Sequence, residues 1–203
     1  MSQILLVTTS PRGSDSYSNQ IARALVAKLQ AETPGAKLVA RDYAAAPLPH
    51  VGEDYVVGRM LPVEQRNAGQ AAAVALSDAL IAELFASDTI VIASPMYNFG
   101  VPSTLKAWID HLARAGQTFS YGATGPVGLV TGKKVYLIEA RGGVYSEGPM
   151  GGYNFQEPYL KTVLGFLGMT DVEAIAIEGV AYGPEAAEKA VNGALGKVAA
   201  LAA

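Results

Sequence analysis

The chain has 203 residues, half of them hydrophobic, which is enough to close one sizeable core, and nothing in the composition suggests a second domain. Fifteen basic residues face 18 acidic ones for a net charge of -3, and no basic cluster is dense enough to follow a phosphate backbone or an anionic membrane, so neither nucleic acid nor lipid is an expected partner. With no cysteine and only the isolated His50 and His111, no metal site is expected, and any redox chemistry must come from a borrowed cofactor. Met1 leads directly into an apolar run without a basic leader, and no apolar stretch approaches transmembrane length, so a cytoplasmic location is expected.

Short apolar runs, most of them rich in β-branched residues, mark five strands: Ile4 to Thr9, Leu38 to Ala40, Thr89 to Ala93, Val135 to Glu139 and Val172 to Ile177. Between them come helical spacings: Ile21, Leu25 and Leu29 before Pro34-Gly35; Leu76, Leu80 and Leu84; Leu105, Ile109 and Leu112 before Gly116; and Leu160, Leu164 and Leu167 before Gly168. A last helix opens at Pro184 and continues through Ala187, Val191, Leu195 and Val198. Alternating strand and helix predict an α/β domain, residues 1–203, with a five-stranded parallel sheet covered on both faces. The flavodoxin-like order 2-1-3-4-5 is its leading arrangement. Two stretches, Ala44 to Glu64 and Gly116 to Gly132, are too long for economical βα connections; the second, with Phe119 and Tyr121, suits an aromatic flap.

Ligands of open parallel sheets sit beyond the carboxyl ends of the strands. After the first strand, Ser10, Ser16, Tyr17 and Ser18 lead into a helix whose free N–H groups and dipole suit a phosphate, although a single serine there also serves as a helix cap. After the third, Pro95-Met96-Tyr97-Asn98-Phe99 offers a soft thioether, aromatic faces and an amide to a flat heteroaromatic ring. After the fourth, Ala140-Arg141-Gly142-Gly143-Val144-Tyr145 either brings backbone N–H groups close to a ligand or is a plain turn. No G-x-G-x-x-G, P-loop or G-x-S-x-G elbow is present, which disfavours a resident dinucleotide, a nucleotide hydrolase and a serine hydrolase.

At these motifs the chain closely resembles the bacterial FMN-dependent NADH-azoreductases, part of the flavodoxin-like NAD(P)H:quinone oxidoreductases. The likeness runs through Pro95 to Phe99, Ala113 to Gly116 with Thr118, Phe119 and Tyr121, Gly128 to Lys134, Arg141 to Gly143, and Gly179 to Glu185. It implies that Ser10, Ser16, Tyr17 and Ser18 hold the phosphate of FMN, that Pro95, Met96, Tyr97, Asn98 and Phe99 line its ring, and that Ala140, Arg141, Gly142, Gly143 and Tyr145 follow its pyrimidine edge. It further implies a homodimer with active sites at the interface, where Phe99, Tyr145 and the partner's counterparts of Phe119 and Tyr121 wall the substrate site. The implied cycle is ping-pong, from NADH or NADPH through FMN to a quinone or an azo compound, and no side chain serves as an essential acid. Ala140 stands where some relatives carry serine, and Tyr145 where histidine can occur, so substrate range is where this chain departs from its relatives. The alternative is a flavodoxin-like electron carrier without NAD(P)H-driven catalysis; the near-neutral charge and the aromatic flap count against it.

Overall fold

In the computed structural model, which describes residues 2–123 and 125–201, five parallel strands form one twisted sheet in the order β2-β1-β3-β6-β7. They are β1 (Gln3–Thr8), β2 (Lys37–Asp42), β3 (Thr89–Pro95), β6 (Lys134–Ala140) and β7 (Asp171–Ile177). The strand numbers run past five because an antiparallel hairpin, β4 (Phe119–Gly122) with β5 (Gly125–Gly128), intervenes where the sequence suggests a loop.

Alternate residues along each strand feed opposite cores, as the strand period of two requires. Leu5, Val7, Ile90, Ile92 and Leu137 face α3 (Ala68–Ala86), α4 (Ser103–Leu112) and α5 (Gln156–Leu167). Ile4, Leu6, Val91, Ile138 and Ile175 face α1 (Tyr17–Glu32) and α6 (Pro184–Ala200). The edge strand β2 is largely exposed, which is why its apolar signal is weak.

Two features escape the sequence reading. The 44–64 stretch is not one loop: it contains α2 (Glu53–Gly58), pinned where the Tyr55 hydroxyl lies 3.4 Å from that of Ser77 and His111 Nε2 sits 2.9 Å from the Pro49 carbonyl oxygen. The expectation that no segment approaches transmembrane length also fails, because α3 is long and apolar enough by length and composition alone. Small alanines crowd several faces of α3, and one face, including Val74, Leu80, Ile81 and Leu84, packs into the core.

The hairpin is fixed by a glycine contact. A Cβ on Gly128 would meet the Gly168 nitrogen at 2.2 Å, and Gly168 itself ends α5 in the left-handed conformation at φ 106°. The Val130 N–H donates to the Leu167 carbonyl at 2.9 Å, closing the joint.

Behind the carboxyl edge of the sheet lies a buried charge cluster. The Arg141 side chain has no exposed surface, and neither does that of Glu139, whose Oε2 accepts from Arg141 Nη2 at 2.7 Å. Nη2 also reaches Glu157 at 3.2 Å, Nη1 donates to Glu178 at 3.0 Å, and Nε donates to Gln156 at 3.3 Å. Gln156 in turn donates to the carbonyl and the hydroxyl of Ser94 at 3.1 and 3.0 Å. One guanidinium thus links β6, α5 and the segment after β7, and through Gln156 it reaches the end of β3. Burial pushes the Glu139 carboxyl up to about 7, against the pull of Arg141, and the nearby charge of Glu157 acts in the same direction as burial.

Two outcomes follow. Gly128→Ala forces backbone apart at the hairpin joint and lowers unfolding free energy by about 1–3 kcal/mol, measurable by denaturant titration; an unchanged midpoint would contradict the close contact. The fold favours Glu139 protonated, so its contribution is complete below the ordinary carboxylate value of 4.5 and is lost as pH rises through about 7. The melting temperature of the wild type relative to Glu139→Gln therefore falls between about pH 5 and about pH 8, and parallel curves would refute that assignment.

Candidate functional site

The loops leaving β1, β3, β6 and β7 converge on a cavity of about 310 Å³ that adjoins an open one of about 870 Å³, with Tyr97 bordering both. This is the crevice at which open α/β sheets bind ligands.

Ser10, Ser16 and Tyr17 line the smaller cavity. Ser10 Oγ accepts from the Arg12 N–H at 3.4 Å, leaving its own proton available, and the N–H groups of Tyr17 and Ser18 have no protein acceptor among the described residues. Ser16 does cap α1, accepting from the Asn19 N–H at 3.4 Å, so for this residue capping and cavity lining coexist. Ser18 does not line the cavity: it is fully buried, with its hydroxyl 3.1 Å from that of Ser16, and only its backbone N–H is left over. Arg12 stands at the cavity with its guanidinium 5.3 Å from the Tyr17 ring centroid. Free amides at a helix start, a hydroxyl and a nearby cation form an anion cradle.

The loop after β3 is strained. Tyr97 and Gly100 exchange backbone hydrogen bonds of 3.0 and 2.9 Å, and the two residues between them, Asn98 and Phe99, have φ of 46° and 69°. Two successive left-handed residues that are not glycine cost about 1–3 kcal/mol each and persist only where the surroundings impose them. The Met96 N–H donating to the Ala140 carbonyl at 2.8 Å, and the Phe155 N–H donating to that of Phe99 at 3.1 Å, hold the turn at both ends. Pro95, Met96 and Tyr97 line the smaller cavity, and Asn98 the larger. The Phe99 ring packs against Tyr145 at 6.1 Å and Tyr153 at 5.3 Å between centroids, within an aromatic group beside the crevice.

Ala140 and Gly142 line the smaller cavity from the β6 side. The Arg141 side chain does not: it is turned into the buried carboxylate cluster, which leaves only the backbone of this residue to follow the edge of a ligand. Gly143 lies behind Tyr145, where a Cβ would meet that ring at 3.2 Å. The N–H groups of Gly142 and Gly143 have no protein acceptor among the described residues.

Phe119 lines neither cavity of its own chain. It is only 8 % exposed and packs on Phe166 with centroids 4.5 Å apart, so it seats the hairpin on α5 instead of lining either cavity. Tyr121, 75 % exposed on the same hairpin, borders neither cavity of its own chain. Val101 and Thr104, further along the same loop, line the larger cavity, and Phe155 and Tyr159 are lining residues that the sequence reading did not foresee. The signal was present as the aromatic run Tyr153, Phe155 and Tyr159 around the start of α5, where Phe155 stays 60 % exposed.

The arrangement fits FMN: an anion cradle at one end, an apolar slot along Met96 and Tyr97, and unpaired backbone donors on the glycine side.

Comparison with known proteins agrees with this geometry. A family described as Flavodoxin-like fold matches residues 2–202. The chain is 55 % identical over 202 residues to FMN-dependent NADH:quinone oxidoreductase 1 of Rhizobium etli, covering 100 % of this chain and 98 % of that one, and the same figures hold for an FMN-dependent NADH:quinone oxidoreductase of Agrobacterium fabrum. Among solved structures, an azoreductase from Bacillus anthracis superposes with TM-score 0.91 at 34 % identity, covering 98 % of this chain and 97 % of that one. The chain belongs to the family with the flavodoxin-like fold and, within it, to the FMN-dependent NADH:quinone oxidoreductases.

Proposed function

We propose that this protein binds FMN and uses it to carry electrons from NADH to quinones and azo compounds. The observation that carries the reading is the pairing of an anion cradle and apolar slot with a second, open cavity that shares Tyr97. A flavin in the first leaves the second free for a flat donor or acceptor. An electron carrier needs no such space, so the enzyme is the better reading.

Bound there, FMN would supply two-electron hydride chemistry between donor and acceptor. The chain supplies binding and orientation. Ser10 and the N–H groups of Tyr17 and Ser18 hold the phosphate, with the dipole of α1 favouring its charge. Met96 and Tyr97 pack against the ring, while the strained turn at 98–99 keeps Asn98 in place. The Gly142 and Gly143 amides, without protein acceptors among the described residues, would donate to the pyrimidine edge of the ring without reorganising. Val101, Phe155 and Tyr159 give the open second cavity apolar walls against which a flat donor or acceptor would pack. No side chain acts as an essential acid or base.

A homodimer completes the site in this proposal. Exposed Phe155, Tyr153 and Tyr182 make apolar surface that a second copy would cover, and Tyr121 projects from the hairpin to meet it. The proposed location is the cytoplasm, the compartment of the NADH pool.

Two measurements test this. Apoprotein titrated with FMN quenches flavin fluorescence, and Ser10→Ala weakens the affinity by about ten- to hundredfold, the loss of one hydrogen bond to a charged group; equal affinity would remove Ser10 from the phosphate site. Steady-state turnover with NADH and a quinone gives parallel double-reciprocal lines, as expected of two half-reactions sharing one site, whereas intersecting lines would exclude that cycle.

A further inference from the structure

We propose that Glu178 is a positioning residue for the flavin, clamping the 142–146 loop so that its free amides are held for the pyrimidine edge. The inference rests on the FMN reading above and adds to it a residue 32 or more positions along the chain from the 140–146 loop that it holds.

The loop has little to hold itself. Gly142 and Gly143 bring no side chains and the widest backbone freedom of any residue, so a defined direction for their N–H groups has to be imposed from outside. Part of that constraint is backbone. The carbonyls of Arg141, Gly142 and Gly143 accept from the N–H groups of Val180, Ala181 and Gly179 at 3.3, 3.0 and 3.0 Å. In a trans peptide the N–H points opposite to the C=O. The N–H groups of Gly142, Gly143 and Val144 are therefore directed away from the 179–181 segment, and none has a protein acceptor among the described residues.

This ladder stops at Gly143, and Glu178 takes over beyond it. Its Oε1 accepts from the Tyr145 N–H at 2.8 Å and from Arg141 Nη1 at 3.0 Å, while Oε2 accepts from the Ser146 hydroxyl. One carboxylate thus closes the far end of the loop and fastens it to the buried guanidinium at its near end. Although burial opposes ionisation, hydrogen bonds from Ser146, the Tyr145 N–H and Arg141 hold the Glu178 carboxyl below its ordinary value, as a clamp that works in the charged form requires. The position follows from topology: Glu178 is the first residue after β7, which is paired in register with β6 up to Ala140 and Ile177. The chain turns at Gly179, φ 73°, immediately afterwards.

The test compares wild type, Glu178→Ala, Glu178→Gln and Ser146→Ala, reading FMN affinity by fluorescence quenching, the midpoint potential of the bound flavin, and the melting temperature of the apoprotein. Glu178→Ala is expected to weaken FMN by roughly tenfold, one hydrogen bond's worth of preorganisation, and to shift the potential to more negative values, because misplaced amides favour the reduced ring less. Glu178→Gln restores most of both, since its amide oxygen still accepts from Tyr145 and its NH₂ donates to the Ser146 hydroxyl. Wild-type affinity and potential in Glu178→Ala would overturn the proposal. So would losses that follow only the apoprotein melting temperature and are not recovered by Glu178→Gln. If Glu178→Ala does not fold, Ser146→Ala decides, because it deletes one exposed arm of the clamp: affinity weakened about twofold with the same direction of potential shift supports the clamp, and no change refutes it. A wild-type apoprotein that fails to bind FMN would instead refute the underlying cofactor reading.

Discussion

A single buried guanidinium organises the carboxyl edge of this sheet. Arg141 is enclosed by Glu139, Glu157, Glu178 and Gln156, and through Gln156 it is tied to Ser94 at the end of β3. A charge buried so completely is tolerated only when each donor finds an acceptor, and removing one partner from such a set costs about 3–5 kcal/mol. The same requirement makes it a geometric device. Its partners sit on the segments that lead into the loops around the crevice, so satisfying the charge also sets where those loops begin.

From those beginnings the loops reach conformations that local preference would not choose. Asn98 and Phe99 are left-handed because the Tyr97 and Gly100 backbones exchange hydrogen bonds around them and because Met96 and Phe155 fix the ends. Gly142 and Gly143 offer backbone donors because the Arg141 and Gly142 carbonyls, which share their peptide units, are turned to the segment after β7. The first-strand loop contributes its share without strain, since the start of α1 presents N–H groups, those of Tyr17 and Ser18, that the Ser16 cap leaves unpaired. Strain and unsatisfied donors therefore collect on one face of one crevice, the pattern of a site built for a ligand with an anionic end and a polar-edged ring.

Much of this was legible in the amino-acid sequence. The sheet strands and five of the helices follow from apolar runs, spacing and the glycine and proline stops around them. The serine loop and the Pro95 to Phe99 run announced themselves as polar, constrained segments where core packing would be expected to end. What could not be read depended on partners far along the chain. Arg141, beside two glycines, looks like a ligand contact, and only Glu157 and Glu178, 16 and 37 residues away, turn it inward. Phe119 looks like part of a flap until Phe166 is placed beneath it. The hairpin was hidden because glycine-rich four-residue strands carry almost no alternation, and its seat depends on Gly128 meeting Gly168 across 40 positions. The resemblance to azoreductases already included Gly128, and the contact supplies its physical reason.

A crevice built in this way holds a flavin that NADH reduces directly by two electrons. Anaerobic stopped-flow mixing of the FMN-loaded protein with NADH tests it most directly. Rapid bleaching of the oxidised flavin band is expected in one two-electron step, at a rate that rises with NADH concentration. Flavin that stays oxidised in the presence of NADH, or that is reduced only in separate one-electron stages, would contradict it.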